Sequence, residues 1–365
     1  MPLTTIRTSN LDTTNSLFFR NRIINGDMRI DQRNAGNAGT PVGSGDYVSV
    51  DRWAAKGLIQ SSKFTMQRIT GSAPAGFSHY LACVPAANTT VASGDSFYIQ
   101  HTIEGYNIQD LNWGTASAIP VTVSFWVKSN LTGTFGGFLY GSSHSVPFSY
   151  TISASATWEY KTVTIATPPV GSTWNLDNDY GITIGWNFGS GATYQATPGT
   201  WVSGYNGRAP TGQVNIMAST SNYFYITGVQ LEVGTAATSF ERRPYTTELQ
   251  LCQRYYEKCY PQNIVPGTSG YQYAEYTTCT YNNNTGYIES TFKFQVMKRA
   301  APTMTAYDSA GNSGRSSYYV SGSLSNDKSI TFGGAGPTDY KFYFYSDNTT
   351  SKGGMAFGWT ASAEL

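Results

Sequence analysis

The stretch Val121–Lys128, VTVSFWVK, alternates Val121, Val123, Phe125 and Val127 with Thr122, Ser124, Trp126 and Lys128. A strand turns successive side chains to opposite faces, so this segment reads as a β-strand with one apolar and one solvated face. The same period recurs on either side of it. Phe97, Ile99 and Ile103 share one face of a segment whose other face carries Tyr98, Gln100 and Thr102. Further strands are expected near 46–54, 62–70, 78–85, 134–140, 146–152, 158–166, 180–188 and 222–232. Turn formers separate them, among them Pro74–Ala75–Gly76, Asn130–Leu131–Thr132–Gly133 and Gly189–Ser190–Gly191. Many short strands punctuated in this way predict an all-β chain built as a jelly-roll β-sandwich. No repeat of fixed period is present, which argues against a propeller or a solenoid.

Composition narrows the class. At roughly 100–200 residues per domain, a chain of 365 residues should hold two or three domains. Charged residues are 12% of the chain, against roughly 25% in an ordinary soluble domain, while aromatics reach 15%. Such a chain has the apolar area to offset its ordering entropy, so disorder is not expected. A net charge of +1 argues against a nucleic-acid partner held by phosphate electrostatics. No run of 18 apolar residues occurs, so no membrane insertion is expected. Residues 1–20 lack the apolar centre of a secretory signal and read as an extended attachment arm.

The strand pattern breaks once, in YTTELQLCQRYYEKCY (Tyr245–Tyr260). Leu249, Cys252, Tyr256 and Cys259 follow a 3,4,3 spacing, which places them on one face of a helix. Thr247 and Gln250 fit a capping box, and Pro244 and Pro261 bracket the segment. A connecting helix over 244–261 is therefore expected, either packed on a sheet or lining an oligomer axis. Strands resume after it, giving a smaller C-terminal β domain over 262–365. The jelly roll then occupies 21–243.

Few motifs in the chain carry chemistry. There is no phosphate-binding loop, no nucleophile elbow and no HExxH motif. His79, His101 and His144 lie in or beside expected strands with no patterned Ser, Cys or carboxylate nearby. Four cysteines without CxxC spacing suggest neither a disulfide framework nor a zinc site. Asp177 and Asp179 have oxygen-ligand character, but the spacing of a calcium loop is missing and an Asx turn is the better reading. With so few titratable groups to tune, no enzyme, no cofactor and no metal are expected. Aromatic rings are the alternative currency, because Trp and Tyr stack on apolar sugar faces while neighbouring amides bond the hydroxyls. Most Trp residues of a sandwich belong to its core. Trp174 and Trp201 stand in loop-like sequence and are candidate ligand contacts, as are Tyr318, Tyr319, Tyr343 and Tyr345 in the Tyr-rich tail. Glu241, Arg242 and Arg243 form a charge cluster in a charge-poor chain: either a surface ion pair, or an anchor that fixes the exit toward the helix.

Two stretches carry a resemblance. NRIINGDMRIDQR (Asn21–Arg33) is followed by Val50–Asp51–Arg52–Trp53, and YFYITGVQLEVGTAATSFERRPY (Tyr223–Tyr245) runs into ELQLCQRYYEK. Together they resemble tail-fibre and minor structural proteins of tailed bacteriophages. In these, a jelly roll similar to carbohydrate-binding modules opens at an INGDM strand, closes at a GVQLEVG strand and leads into a C-terminal β domain. The ending ASAEL (Ala361–Leu365) is similar too. Related modules often carry an Asp-Asp pair where this chain has Thr227–Gly228, so their calcium site is not expected here. The resemblance implies a non-enzymatic virion protein, a tail fibre or receptor-binding component contacting host surface glycans, or else an architectural subunit without a ligand. It further implies a homotrimer, attachment to other virion proteins through residues 1–20, and a location at the tail or particle surface after synthesis in the host cytoplasm.

Overall fold

The computed structural model describes residues 19–39, 41–43, 47–270, 275–279, 286–320, 323–332, 334–346 and 353–365. The attachment arm expected over 1–20 thus lies outside the described residues up to position 18. The first part of the chain forms strands β1 (Trp53–Leu58), β2 (Phe64–Thr70), β3 (His79–Pro85), β4 (Ser96–Glu104), β5 (Val121–Ser129), β6 (Gly133–Tyr140) and β7 (His144–Ile152). They are followed by β8 (Glu159–Ile165), β9 (Tyr180–Ser190), the two-residue strands β10 (Gln195–Ala196), β11 (Val202–Ser203) and β12 (Ala209–Pro210), and β13 (Phe224–Val233).

Two antiparallel sheets face each other. One has the order β1-β4-β9-β6-β7-β11 and the other β2-β3-β13-β5-β8. Their facing residues are those the alternation assigned inward: Phe97, Ile99 and Ile103 from β4, and Val121, Val123, Phe125 and Val127 from β5. Trp53, Phe125 and Trp186 meet at the centre, tilted for Trp53–Trp186 with ring centroids 5.6 Å apart and edge to face for Phe125–Trp186 at 5.3 Å. Burying each such side chain is worth about 1.5–3 kcal/mol.

The expected strand at 46–54 begins only at Trp53. Asp51 and Arg52 form a turn there, with Arg52 at φ 73°. The INGDM segment is likewise a turn and not a strand, with Asn25 and Met28 at φ 58° and 60°. The Asn25 side chain explains the turn, accepting from the Ile30 amide at 3.0 Å and donating to the Ile30 carbonyl at 2.8 Å. An Asn that bonds locally in this way competes with a strand ladder. The turn still lies against the closing strand, since Arg22 N donates to Leu231 O and Val229 N to Gly26 O, each at 2.9 Å.

Helix α1 (Tyr245–Gln253) is shorter than the 244–261 expected from spacing. Pro244 is its N-cap and makes no side-chain cap bond, so Thr247 lies inside the first turn and no capping box forms. After Gln253 the chain becomes β14 (Tyr256–Lys258), which pairs with the last strand through Tyr256↔Ser362 and Lys258↔Thr360. That strand offers a ladder to an aromatic pair with strand propensity, and the ladder satisfies the backbone as well as another helical turn would. Leu249 and Cys252 pack with Ile24, Ile30 and Tyr255. Tyr256 and Cys259 leave the helical face because they lie beyond its end.

The remaining strands are β15 (Glu275–Cys279), β16 (Gly286–Lys293), β17 (Thr303–Tyr307), β18 (Arg315–Val320), β19 (Ser323–Phe332), β20 (Asp339–Ser346) and β21 (Gly353–Ser362). They form a sheet of order β14-β21-β18-β19-β20-β16, with β15 and β17 also pairing to β21. This sheet begins at Tyr256, earlier than the expected boundary at 262. Its own core holds Phe294, Tyr340, Met355, Phe357 and Trp359. The chain then returns to the sandwich, where Glu364 pairs with Arg33 at 2.9 Å and with the fully buried Arg52.

Candidate functional site

The outward face of the six-stranded sheet carries a groove. Along β4 the residues opposite the core are Tyr98, Gln100 and Thr102, and β9 lies beside them with Gln100↔Gly185 and Thr102↔Thr183 in register. β6 follows with Tyr140↔Thr183 and Phe138↔Gly185. A side chain at Gly185 would place its Cβ 2.3 Å from the Phe138 ring, so glycine there lets that ring lie flat on the sheet. The Thr102 and Thr183 hydroxyls are 3.1 Å apart, and Tyr140 donates to Gln100 Oε1 at 3.3 Å.

The segment between β9 and β13 covers part of this face. β10 and β12 pair in parallel, Gln195↔Ala209 and Ala196↔Pro210, and β11 adds to β7 through Val202↔Ser145. These short pairings bring Tyr194, Tyr205 and Arg208 over the sheet. The Arg208 guanidinium lies 5.1 Å from the Tyr194 ring centroid and 5.6 Å from those of Tyr98 and Tyr140. It donates to the Tyr98 hydroxyl at 3.1 Å. Tyr205, 38% exposed, meets Tyr140 edge to face at 5.4 Å, and its hydroxyl is 3.1 Å from that of Tyr180.

The resulting cavity of about 310 Å³ is lined by Gln100, Thr102, Tyr140, Thr183, Tyr205 and Arg208, with Lys56, Tyr180 and Leu365 completing it. The Tyr180 hydroxyl is pushed up to about 12, first by its hydrogen bond with Tyr205 and then by burial. Burial raises Tyr140 and Tyr98 as well. All three phenols are therefore neutral donors near neutral pH. The groove offers apolar ring faces beside hydroxyl, amide and guanidinium groups, the combination that binds a polyhydroxylated ring.

The residues singled out from sequence lie elsewhere. Trp174 and Trp201 come together, but with Trp113 in a half-buried trio whose centroids are 4.7 to 5.8 Å apart. Their indole N–H groups are taken by Ser172 Oγ at 2.9 Å and Ala166 O at 3.0 Å. Tyr318, Tyr319, Tyr343 and Tyr345 occupy strands β18 and β20, and their side chains lie outside the described residues. Glu241, Arg242 and Arg243 form the seam between the start of the sandwich and its exit. Glu241 accepts from the Phe19 and Asn21 amides at 2.6 and 2.8 Å. Arg243 donates to the carbonyls of Asn21 and Ile23 and pairs with Glu248 at 3.3 Å. Arg242 stacks over Phe77 at 4.7 Å. A second cavity, of about 400 Å³, opens at this seam beside Asp27, Arg29 and Phe77. Asp27 and Arg29 pair with each other across 2.5 Å, which holds the seam's charges together.

Asp177 and Asp179 bond to nearby backbone, with Asp179 N donating to Asp177 Oδ1 at 2.8 Å. His101 is buried and held well below its usual range by desolvation, with Nε2 accepting from the Ile24 amide at 3.2 Å. Sequence reading placed Tyr98, Gln100 and Thr102 on the outer face but gave them no role. It missed Tyr140, Tyr205 and Arg208. The available signal was the fragment GYNGR that follows Trp201, in which an aromatic and a cation flank glycines.

No protein-family model matches the sequence, and no curated protein matches it. Solved structures similar to the chain include the enzymatically active domain of tailspike protein 4 of bacteriophage CBA120, at 14% identity and TM-score 0.30 over 59% of this chain. The match spans 21% of that tailspike structure, about a fifth of its length. A family 11 carbohydrate-binding module of the cellulase Lic26A-Cel5E of Clostridium thermocellum matches at 11% identity and TM-score 0.28, over 55% of this chain and 96% of that one. A putative sugar binding protein of Bacteroides thetaiotaomicron matches at 9% identity and TM-score 0.29, over 58% and 99%.

Proposed function

We propose that the chain is a non-enzymatic glycan-binding protein of a tailed-phage virion, acting as a tail-fibre or receptor-binding component that meets host surface polysaccharide. The observation that carries this reading is the groove on the six-stranded sheet, where the Tyr140 and Tyr205 rings stand beside Gln100, Thr102 and Thr183. The virion assignment rests on the resemblance, whose two stretches meet in one seam through Asn21, Glu241 and Arg243. On this reading the arm attaches the chain to its neighbours in the particle, and the protein assembles as a homotrimer.

The test is electrophoresis of the full chain through native gels containing soluble polysaccharides: mixed-linked β-glucan, xylan, galactan, polygalacturonate and an extracted bacterial capsule. Retardation by at least one of them, lost in Tyr205→Ala with thermal stability unchanged, is the expected result. Migration unaffected by every polysaccharide would overturn it. One observation favours a purely architectural role instead. Trp126 and Tyr160 lie side by side on the outer face of the other sheet, with Tyr160 45% exposed, and exposed rings of this kind suit a subunit interface.

A further inference from the structure

Resting on the glycan reading, we infer that the groove selects acidic saccharides, with a sugar carboxylate bound by the guanidinium of Arg208. The chain is poor in charge, and several of its partly or fully buried arginines are matched by an acid, while Arg68, which donates to the Arg29 carbonyl at 2.7 Å, has no acidic partner among the described residues. Arg29 meets Asp27, Arg33 and Arg52 meet Glu364, Arg243 meets Glu248, and Arg254 meets Glu104. Arg208 is the exception in the groove. Among the described residues its side chain bonds the Tyr98 hydroxyl and nothing acidic, and aromatic rings of Tyr98, Tyr140 and Tyr194 flank it. Its Nε–H finds no acceptor among the described residues, which holds for several arginines here, Arg68 among them.

Chemistry then points to the ligand. A guanidinium presents a planar fork that fits a carboxylate with two parallel hydrogen bonds, and rings stacked on it fix the plane of the fork in advance. No described lining side chain is acidic, and the cationic Lys56 lines the same groove. A neutral sugar would bury a cation without supplying its counter-charge, whereas a uronate or sialate supplies it. Gln100, Thr102 and Thr183 form the polar floor of the groove, so the acid adds to the ring contacts already described.

The experiment is calorimetric titration of the full chain with matched pairs: oligogalacturonate against its methyl ester, hyaluronan oligosaccharide against its methyl ester, and sialyllactose against lactose. At low salt the acid of at least one pair should bind about tenfold tighter than its neutral counterpart. The gap should shrink in high salt as screening grows. Arg208→Gln should abolish the preference, Arg208→Lys should keep part of it, and both variants should melt as the parent does. Equal or tighter binding of the neutral partner would overturn this inference and leave glycan binding standing. Acid preference that survives Arg208→Gln would also overturn it. Binding of neither member of any pair, by a protein that still binds a neutral polysaccharide in gels, counts against the acidic ligand alone. Failure in both assays removes the glycan reading with it.

Discussion

Replacing Arg243 with Met tests whether the seam is an anchor or a surface ion pair. The Arg243 side chain is 7% exposed and its partner Glu248 6% exposed, so water screens the pair poorly. Met keeps the aliphatic stem and removes the cation, leaving the Asn21 and Ile23 carbonyls without their donor and Glu248 without its counter-charge. Removing one member of a buried pair costs about 3–5 kcal/mol, whereas exposed pairs are worth roughly 0–1. Burial already holds the Glu248 carboxyl above the usual carboxylate range, so protonation offers it an escape and the loss should shrink as pH falls. Adding Glu248→Gln removes the stranded charge while an amide oxygen can still accept from the Asn25 amide, as Glu248 does at 2.5 Å. The double variant should therefore recover part of the loss. Urea denaturation followed by Trp fluorescence, with midpoints and slopes compared at neutral pH, reads both effects. A loss below about 1 kcal/mol for Arg243→Met, or strictly additive losses in the double variant, would refute the anchor.

Gly26→Ala should destabilise the chain by about 1–3 kcal/mol or more, because the new Cβ would lie 2.2 Å from the Val229 carbonyl oxygen across the seam; a thermal melt unchanged from the parent would contradict this contact. Stability should also depend on pH through Asp51, whose carboxyl burial pushes up to about 6 despite Arg33 and two bonds from Gln32. A folded value above the unfolded one of about 3.9 means this contribution is fully present below pH ~4 and lost as pH rises through 6, by up to roughly 3 kcal/mol. Glu248 acts in the same direction. Asp51→Asn should flatten the slope of stability between pH 4 and 6, and an unaltered slope would show that other groups set it.

Alternation along β4 and β5 told both the strands and their inward faces, because side-chain direction in a strand is local and has period 2. The sandwich followed from repetition of that signal. Boundaries failed where a tertiary partner competed with a local preference. Tyr256 reads as helical by spacing, yet β21 offers it a ladder. Asn25 and Gly26 read as part of a strand, yet the side chain of one and the missing side chain of the other fit a turn pressed on Val229.

What the sequence determined by itself was therefore everything set by neighbours a few positions apart: the all-β class, the alternating faces, and the placing of a helix after Pro244. The groove was decided only by the tertiary structure. Gln100, Tyr140, Thr183, Tyr205 and Arg208 come from β4, β6, β9 and the covering segment, and nothing in the spacing between them shows that they meet. Register between strands far apart in the chain brings them together: Thr102 lies opposite Thr183, and Thr183 opposite Tyr140. The same long-range packing left Trp174 and Trp201 against Trp113 and set Arg208 among rings without an acid, a distinction between otherwise similar side chains that only the neighbours in space can make.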